Sequence, residues 1–448
     1  MRPILAAVLA ATLAHGAEGE PASAPRTRYA LSGPLRVEGR AYADATGPRT
    51  VLFCSWFPAL RIWRDDREAA LRELDAVAAA GWQGIRVFTA VGGWQPYWDG
   101  REVAPVTFRK QFESGRFGDE VPGWPDYDEQ LRTFLAAVRA RGLRLHLTTG
   151  DAQIIFPGTE GERDFHKRVI AIVREAGGSD VVTLYEVWNE GWQNNALRAT
   201  PAALEHARGI LDDVRAALPE VLTAISAAPP GVDEVGRSAW SEGADVAIVH
   251  GRRSPPPRAL ADAFDLVHRD GALRALPRPL WQGEPTGPDG ERPEVYEPTD
   301  DPAWILALLT VHQMTGQASV FFNGPAVRYS EPLSGTWGFR ELPALLALLP
   351  PDIGTWPHAA AGRRGGPVTA LQFGGDGRTG PDGIFQVWND RMVVAVVHGG
   401  SGPWELDAPE PLRRWRIVGP EGVEHEGTGR DFPLLDASLV ARLVIGER

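Results

Sequence analysis

The stretch that decides the fold is Leu184-Tyr185-Glu186-Val187-Trp188-Asn189-Glu190-Gly191. The apolar run from Val181 to Leu184 predicts a buried parallel strand that ends in an Asn-Glu pair, and a helix is predicted from Pro201. A second stretch, Pro279-Leu280-Trp281-Gln282-Gly283-Glu284-Pro285, is another short apolar strand closing on a glutamate. Parallel strands present their carboxyl ends at one edge of a sheet, so the two carboxylates are expected to lie near each other.

Strand and helix patterns alternate from Val51 onwards, and the alternation repeats eight times. Strands are predicted at 51–53, 84–88, 143–147, 181–188, 221–226, 245–249, 279–282 and 318–322, and helices at 65–80, 126–141, 162–176, 201–218, 231–240, 258–276, 302–315 and 340–349. Eight such units favour a closed (β/α)8 TIM barrel. The alternative, an open doubly wound sheet, calls for a glycine-rich phosphate turn after an early strand, and the sequence has none.

The regions before and after the eight strand–helix units have different sequence patterns. Residues 1–25 are interpreted as a signal peptide and leader, because an apolar run from Ile4 to Leu13 precedes small residues, and this predicts a secreted or periplasmic protein. The barrel domain is predicted over 26–360, with an N-terminal hairpin whose strands at 35–40 and 49–52 flank a turn at 43–48. A small antiparallel β-sandwich is predicted over 365–448, with strands at 368–373, 384–388, 392–398, 415–418 and 439–445.

Composition narrows the class of ligand. The chain has 448 residues, a net charge of −12 and a pI near 5.4, which argues against nucleic acid as a partner. No segment is predicted to span a membrane. The single cysteine, Cys54, is interpreted as a buried thiol, the ten histidines form no ligand-spaced cluster, and neither a metal nor another cofactor is predicted. The 16 tryptophans offer planar surfaces on which sugar rings stack, which favours a carbohydrate partner.

The Trp188-Asn189-Glu190 strand end, with Glu284 after the seventh strand, resembles the clan A retaining glycoside hydrolases, the group of cellulases, mannanases and many β-glycosidases. The resemblance covers roughly residues 50–350 and implies cleavage of β-glycosidic bonds in a poly- or oligosaccharide by double displacement. It makes Glu190 the general acid/base and Glu284 the nucleophile, about 5 Å apart. It also implies that Arg86 on the second strand keeps the nucleophile ionised and that Asn189 donates to the sugar 2-hydroxyl.

Other residues are weaker candidates for the same site. His146 and His250 resemble site histidines of the clan, although each could be a hydrogen-bonded histidine of the barrel interior. Glu186 is expected to pair with an arginine inside the barrel. The aromatic candidates for contact with substrate, each of which could instead be packing, are Trp94, Trp98, Trp188, Trp192, Trp281 and Trp337. Trp188 and Trp192 would also desolvate the acid and so favour its protonated form.

Three departures from the clan pattern support a second hypothesis. Gly191 stands where many members have proline, Arg252 replaces a tyrosine that commonly contacts the nucleophile, and the eighth strand ends Phe321-Phe322-Asn323 without the expected tryptophan. The alternative is therefore a non-catalytic carbohydrate-binding or scaffold protein on a glycosidase-like barrel. A near repeat of the key motif, Val387-Trp388-Asn389-Asp390, is interpreted as a hairpin turn, because no helix follows it.

Overall fold

The computed structural model describes most of the chain between residues 30 and 448. The described residues are 30–92, 101–111, 117–150, 154–155, 158–190, 200–226, 243–250, 259–261, 263–264, 267, 278–284, 302–321, 329, 331–335, 338–362, 383–398, 411–429 and 441–448. The predicted leader, the helix at 231–240, most of the helix at 258–276 and the strand at 368–373 lie outside them. No described helix is both long enough and apolar enough to cross a lipid bilayer.

Eight parallel strands form the barrel, as predicted. They are β1 (Leu52–Ser55), β2 (Gly84–Phe88), β3 (Arg144–Thr148), β4 (Val182–Glu186), β5 (Leu222–Ala224), β6 (Ala247–Val249), β7 (Leu280–Gln282) and β8 (Ala318–Phe321). Their order in the sheet is β5-β4-β3-β2-β1-β8-β7-β6. A single parallel bridge between Ser226 and Ile248 joins the two ends of this sheet. The barrel fold class is thereby confirmed.

The seam between β5 and β6 combines an isolated bridge with hydrogen bonds around Thr223, whose carbonyl oxygen accepts from the backbone N of Asp245 at 3.0 Å and of Val246 at 3.3 Å. Among the described residues, the bridge at Ser226 is its only ladder contact. The Asp245 carboxylate adds two hydrogen bonds, because Oδ2 accepts from the backbone N of Thr223 at 2.9 Å and from its Oγ1 at 2.6 Å. At this side the described part of the barrel therefore closes through an isolated bridge and the contacts of Thr223, and not through a continuous ladder.

Helices cover the outside of the barrel. They are α1 (Ala59–Asp65), α2 (Arg67–Ala80), α3 (Tyr127–Ala140), α4 (Gly158–Ala176), α5 (Pro201–Ala217), α6 (Pro302–Met314) and α7 (Glu341–Leu346). The predicted helix at 65–80 corresponds to α2, which begins two residues later because the Asp66 carboxylate caps it by accepting from Ala69 N at 2.9 Å, and α1 was not predicted. The αL residue Gly81, with φ 90°, ends α2 as expected.

The lower part of the barrel is filled with apolar side chains. Tyr42, Phe53 and Trp281 pack edge to face there, with ring centroids 5.8 and 5.4 Å from the Trp281 ring. Tyr42 comes from an N-terminal sheet of three antiparallel strands, Arg36–Glu38, Ala41–Asp44 and Gly47–Arg49. The filled end leaves the carboxyl ends of the strands as the place for a site.

The predicted N-terminal hairpin is wrong in its turn. Ala43 and Asp44 belong to the middle strand of the N-terminal sheet, and the turn consists of Ala45 and Thr46. The Asp44 side chain nevertheless organises the turn. Its carboxylate accepts from the backbone N and Oγ1 of Thr46 at 2.7 and 2.6 Å and from Arg49 Nε at 2.8 Å.

Loops above the site carry a small sheet of their own that was not predicted. It consists of Phe108–Gln111, Phe117–Val121 and Ile154–Ile155, paired antiparallel. The first two segments follow β2 and the third follows β3. Two βα-loops are therefore tied together at the carboxyl end of the barrel.

An antiparallel β domain follows the barrel, also as predicted. Its described strands form one six-stranded sheet in the order β9-β10-β11-β14-β12-β13: β9 (His358–Gly362), β10 (Gly383–Trp388), β11 (Met392–His398), β12 (Leu412–Gly419), β13 (Gly422–Gly429) and β14 (Arg442–Glu447). One face contacts the barrel, with Phe385 and Phe264 ring centroids 5.3 Å apart. Helix α6 is buried on all sides because it contacts strands of this sheet as well as the barrel.

Candidate active site

The carboxyl ends of the barrel strands bring together six of the residues named from the sequence. Arg86 lies on β2, His146 on β3, Asn189 and Glu190 follow β4, His250 follows β6 and Glu284 follows β7. Five of the six are less than 9% exposed, and Glu190 is of intermediate exposure. The group therefore forms one polar centre whose open side is at Glu190.

Arg86 is the hub of this centre. Its side chain is fully buried, and Nη1 donates to Glu284 Oε1 at 2.7 Å. Nη2 donates to Asn189 Oδ1 at 2.7 Å and to Glu186 Oε2 at 3.1 Å. A planar guanidinium can hold several acceptors in fixed directions, which a lysine cannot do. Burial disfavours its charge, but the Glu186 and Glu284 carboxylates outweigh burial and raise the pKa of Arg86.

The two predicted catalytic carboxylates face each other across His250. Nδ1 of His250 lies 2.7 Å from Glu190 Oε1 and 3.7 Å from Glu284 Oε2. One carboxylate oxygen of each glutamate and this nitrogen lie within 4.8 Å of one another. The side chains are 18% exposed for Glu190 and 9% for Glu284, so both lie at the boundary with solvent.

His250 is held at both ring nitrogens. Its Nε2 lies 3.2 Å from Ser226 Oγ, at the end of β5. Burial alone would lower the pKa of His250, but the charge of Glu284 and the hydrogen bond and charge of Glu190 outweigh burial and raise it. The two carboxylates therefore stabilise the protonated form of His250.

A third carboxylate, Glu186, lies beneath this pair with no exposed surface. Its Oε2 accepts from Thr148 Oγ1 at 2.6 Å and from His146 Nε2 at 2.9 Å, in addition to Arg86. Burial works against the charge of Glu186, yet Arg86 and the hydrogen bonds hold its pKa well below the usual range. Burial lowers the pKa of His146 to about 4, so its contact with Glu186 is a hydrogen bond from a neutral ring and not an ion pair.

Glu190 has an unusual backbone. Its φ of 48° is the only positive value among the described non-glycine residues. Neighbouring backbone bonds fix the approach to it, because Asn189 N donates to Gly150 O at 2.8 Å and Ser226 N donates to Trp188 O at 3.1 Å. A left-handed conformation costs a non-glycine residue about 1 kcal/mol or more and is concentrated at functional sites.

Three predicted substrate contacts are corrected by the structure. Trp281 is fully buried in the lower barrel, and His146 is fully buried beneath the carboxylate pair. Trp188 is 1% exposed and faces the helices outside the barrel, where its Nε1 donates to Glu162 Oε1 at 2.9 Å. Since none of these three side chains lines the open side of the polar centre, they are not placed to contact a substrate.

Other predictions fall outside the described residues and stay predictions. They concern Trp94, Trp98, Trp192 and Trp337, and the departures from the clan pattern at 191, 252, 322 and 323. Sequence reasoning missed Thr148 and Ser226, although polar residues at the ends of the third and fifth strands are a usable signal. It also missed Glu162 and His206, whose helical positions give no such signal.

The cluster of Glu190, His250 and Glu284 has the residue types of a metal centre. However, Nδ1 and Oε1 are 2.7 Å apart, whereas two ligands at about 2.0 Å from a tetrahedral zinc ion are separated by roughly 3.3 Å. Arg86 also places a positive charge 2.7 Å from Glu284 Oε1. The geometry is therefore that of hydrogen-bonded acids and not of a preformed metal site.

No protein-family model and no curated protein matches this chain. Two solved structures from Bacteroides vulgatus ATCC 8482 are similar to it over nearly its whole length. One, presented as a candidate glycoside hydrolase, has a TM-score of 0.63 at 13% identity and covers 95% of this chain and 84% of the other. The second, a glycoside hydrolase family 5 protein, has a TM-score of 0.60 at 12% identity and covers 93% and 92%. This chain therefore has the fold of these two structures, a parallel barrel followed by a β domain.

Proposed function

We propose that this protein is a secreted retaining glycoside hydrolase that cleaves β-glycosidic bonds of a poly- or oligosaccharide. One observation carries the proposal: the carboxylates of Glu190 and Glu284 converge with oxygens within 4.8 Å of each other at the carboxyl end of the barrel. Retaining glycosidases separate their two carboxyl groups by about 5–5.5 Å, whereas inverting enzymes leave about 6.5–9.5 Å for a water molecule. The fold shared with glycoside hydrolase structures supports the same class.

The chemistry would proceed in two displacements. In the first, Glu284 attacks the anomeric carbon while Glu190 gives a proton to the departing oxygen, which forms a glycosyl ester on Glu284. In the second, Glu190 takes a proton from water, the water oxygen attacks the anomeric carbon, and Glu284 leaves as a carboxylate. The configuration at the anomeric carbon is inverted twice and therefore retained.

The surrounding residues fit this assignment of roles. Arg86 binds Glu284 Oε1 at 2.7 Å, which fixes the position of the nucleophile. His250 hydrogen-bonds Glu190 and so orients the acid/base. Oδ1 of Asn189 accepts from Arg86, so the amide NH₂ is the group that would donate to a sugar hydroxyl.

A panel of aryl β-glycosides and β-linked polysaccharides tests the proposal. Glu284→Gln and Glu190→Gln should each lower turnover by about 100-fold or more, while Glu175→Gln, an exposed position on α4, should leave it unchanged. Azide should rescue small replacements: Glu190→Ala gives a glycosyl azide of retained configuration and Glu284→Ala one of inverted configuration. Wild-type rates in both Gln variants would refute the assignment.

The second candidate function is a binding protein that has lost catalysis, for which the sequence departures at 191, 252, 322 and 323 are the only support. Sugar binding by calorimetry without hydrolysis of any substrate on the panel would favour it. Secretion is tested separately, by expression in a bacterial host and N-terminal sequencing of the exported protein. A mature N-terminus near residue 17 is expected, and retention of residues 1–16 would contradict export through a cleaved signal.

A further inference from the structure

Trp188, two residues before the proposed acid/base, is anchored from outside the barrel. Its indole Nε1 donates to Oε1 of Glu162 on α4 at 2.9 Å. The second oxygen of Glu162 lies 3.2 Å from Nε2 of His206 on α5, and the His206 ring lies over the indole with centroids 6.4 Å apart and planes 31° apart. One buried carboxylate therefore connects two helices to the chain segment that leads to Glu190.

The indole of Trp188 also packs closely against Gly150. A methyl group at Gly150 would lie 3.1 Å from Trp188 Cδ1 and 3.0 Å from the carbonyl oxygen of Val187. Trp188 is therefore clamped between Gly150 after β3 and the two helices. Packing of this kind leaves one rotamer and fixes the backbone of the segment as well.

The anchored Trp188 segment leads directly to the strained backbone of Glu190. A non-glycine residue keeps a φ of 48° only when its surroundings impose it, because relaxation to negative φ would lower its energy. The conformation directs the carboxylate to His250 Nδ1 at 2.7 Å. The segment before it is fixed by hydrogen bonds at Trp188 O and Asn189 N, and both depend on where Trp188 sits.

We propose that Glu162 is a positioning residue that holds the acid/base Glu190 in its strained conformation through Trp188. The inference rests on the proposed function for its kinetic consequence but not for its structural one. Glu162 lies on the outside of the barrel and contacts neither proposed catalytic carboxylate in the described structure. Its effect should therefore fall on the proton transfer of Glu190 and not on the attack by Glu284.

The leaving-group dependence of hydrolysis separates these two steps. When the phenol of an aryl glycoside is strongly acidic, its phenolate leaves without protonation. The leaving group of an alkyl or unsubstituted phenyl glycoside needs the proton of the acid. Glu162→Ala should lower kcat/KM at least about 10-fold for the poor leaving group and less than about 3-fold for a dinitrophenyl glycoside, because a small misplacement of a catalytic group costs up to 100-fold. Trp188→Phe, which removes the indole N–H together with the pyrrole ring, should show the same selectivity.

Two variants control the experiment. Glu162→Gln keeps an oxygen for the indole N–H and should restore much of the lost rate. Glu175→Ala, on the same helix with its side chain 59% exposed, should behave as the wild type on both substrates. Equal losses of Glu162→Ala on both substrates would mean a general structural defect and would overturn the proposal.

A stability measurement tests the proposal without any activity. Glycine adopts positive φ freely, so Glu190→Gly should melt at a higher temperature than Glu190→Ala in the wild-type background. In the Glu162→Ala background this gap should shrink, because the segment can relax; an unchanged gap would overturn the proposal. If the wild type hydrolyses no glycoside but the gap shrinks, the proposed function fails and the positioning role stands.

Discussion

Replacing Arg86 by methionine is the sharpest test of the buried charge arrangement. Methionine fills a similar space but removes the side chain that donates to Glu284 Oε1, Glu186 Oε2 and Asn189 Oδ1 at 2.7, 3.1 and 2.7 Å. Two carboxylates that are 91% and fully buried then lack their common cation. Removing one partner of a buried ion pair costs about 3–5 kcal/mol, so we expect the free energy of unfolding to fall by that amount.

A double variant shows whether charge is the cause. Adding Glu186→Gln to Arg86→Met removes one of the two uncompensated carboxylates. The double variant should therefore lose about 1–3 kcal/mol less unfolding free energy than the two single variants lose in sum. Urea unfolding at pH 7, followed by tryptophan fluorescence and by far-ultraviolet circular dichroism, measures all four proteins. An Arg86→Met protein within about 1 kcal/mol of the wild type, or strictly additive effects, would refute the reasoning.

Three further predictions concern histidine titration and backbone packing. The raised pKa of His250 means that its ion pairing is complete below about pH 6.5 and is lost as pH rises through the folded-state value. The difference in unfolding free energy between the wild type and His250→Gln should therefore narrow between pH 6 and 9 in urea titrations, and a constant difference would contradict this. Burial lowers the pKa of His312 to about 3, so the unfolded chain binds a proton that the folded one lacks as pH falls from about 6.5 to 3. His312→Gln should reduce the fall of the unfolding free energy on acidification by up to about 1.4 kcal/mol per pH unit. An unaltered slope of unfolding free energy against pH would exclude this role. A methyl group at Gly84 would lie 2.2 Å from Arg144 O, so Gly84→Ala should lower the free energy of unfolding by about 3 kcal/mol or more. Gly142 has open space around it and a φ of 68°, so Gly142→Ala should lower it by only about 1 kcal/mol. Comparable melting temperatures of the two variants would disprove this contrast.

Much of the barrel could be predicted because buried strands keep an apolar pattern whatever their neighbours are. The strand Gly84–Phe88 was predicted residue for residue, as was Met392–His398 in the β domain. Boundaries were less certain where one side chain decides them. Asp66 caps α2 and sets its start at residue 67, two residues later than predicted, and no periodicity reveals a cap of that kind.

The direction of side chains beyond a strand end could not be predicted. Strand parity places Glu186, Trp188 and Glu190 on one side, but the paired part of β4 ends at Glu186. Past that point the chain no longer alternates, and the positive φ of Glu190 turns its carboxylate back to the site while Trp188 faces the helices. The polar strand ends could be read from the sequence, whereas the Trp188 anchor depends on contacts with α4 and α5.

The uneven closure of the barrel has a consequence for how the protein fails on heating. Arg86 and Glu186 stand on five-residue strands that pair along their length with β3, whereas His250 and Glu284 follow three-residue strands, and β6 is joined to β5 by the isolated Ser226 bridge. On heating, the weakly paired side of the barrel should open first. This would separate the two carboxylates, Glu190 and Glu284, while the surrounding helices are still folded. Thermal inactivation should then precede the loss of helical ellipticity. The difference between the two midpoint temperatures would measure how strongly the closure of the barrel is stabilised.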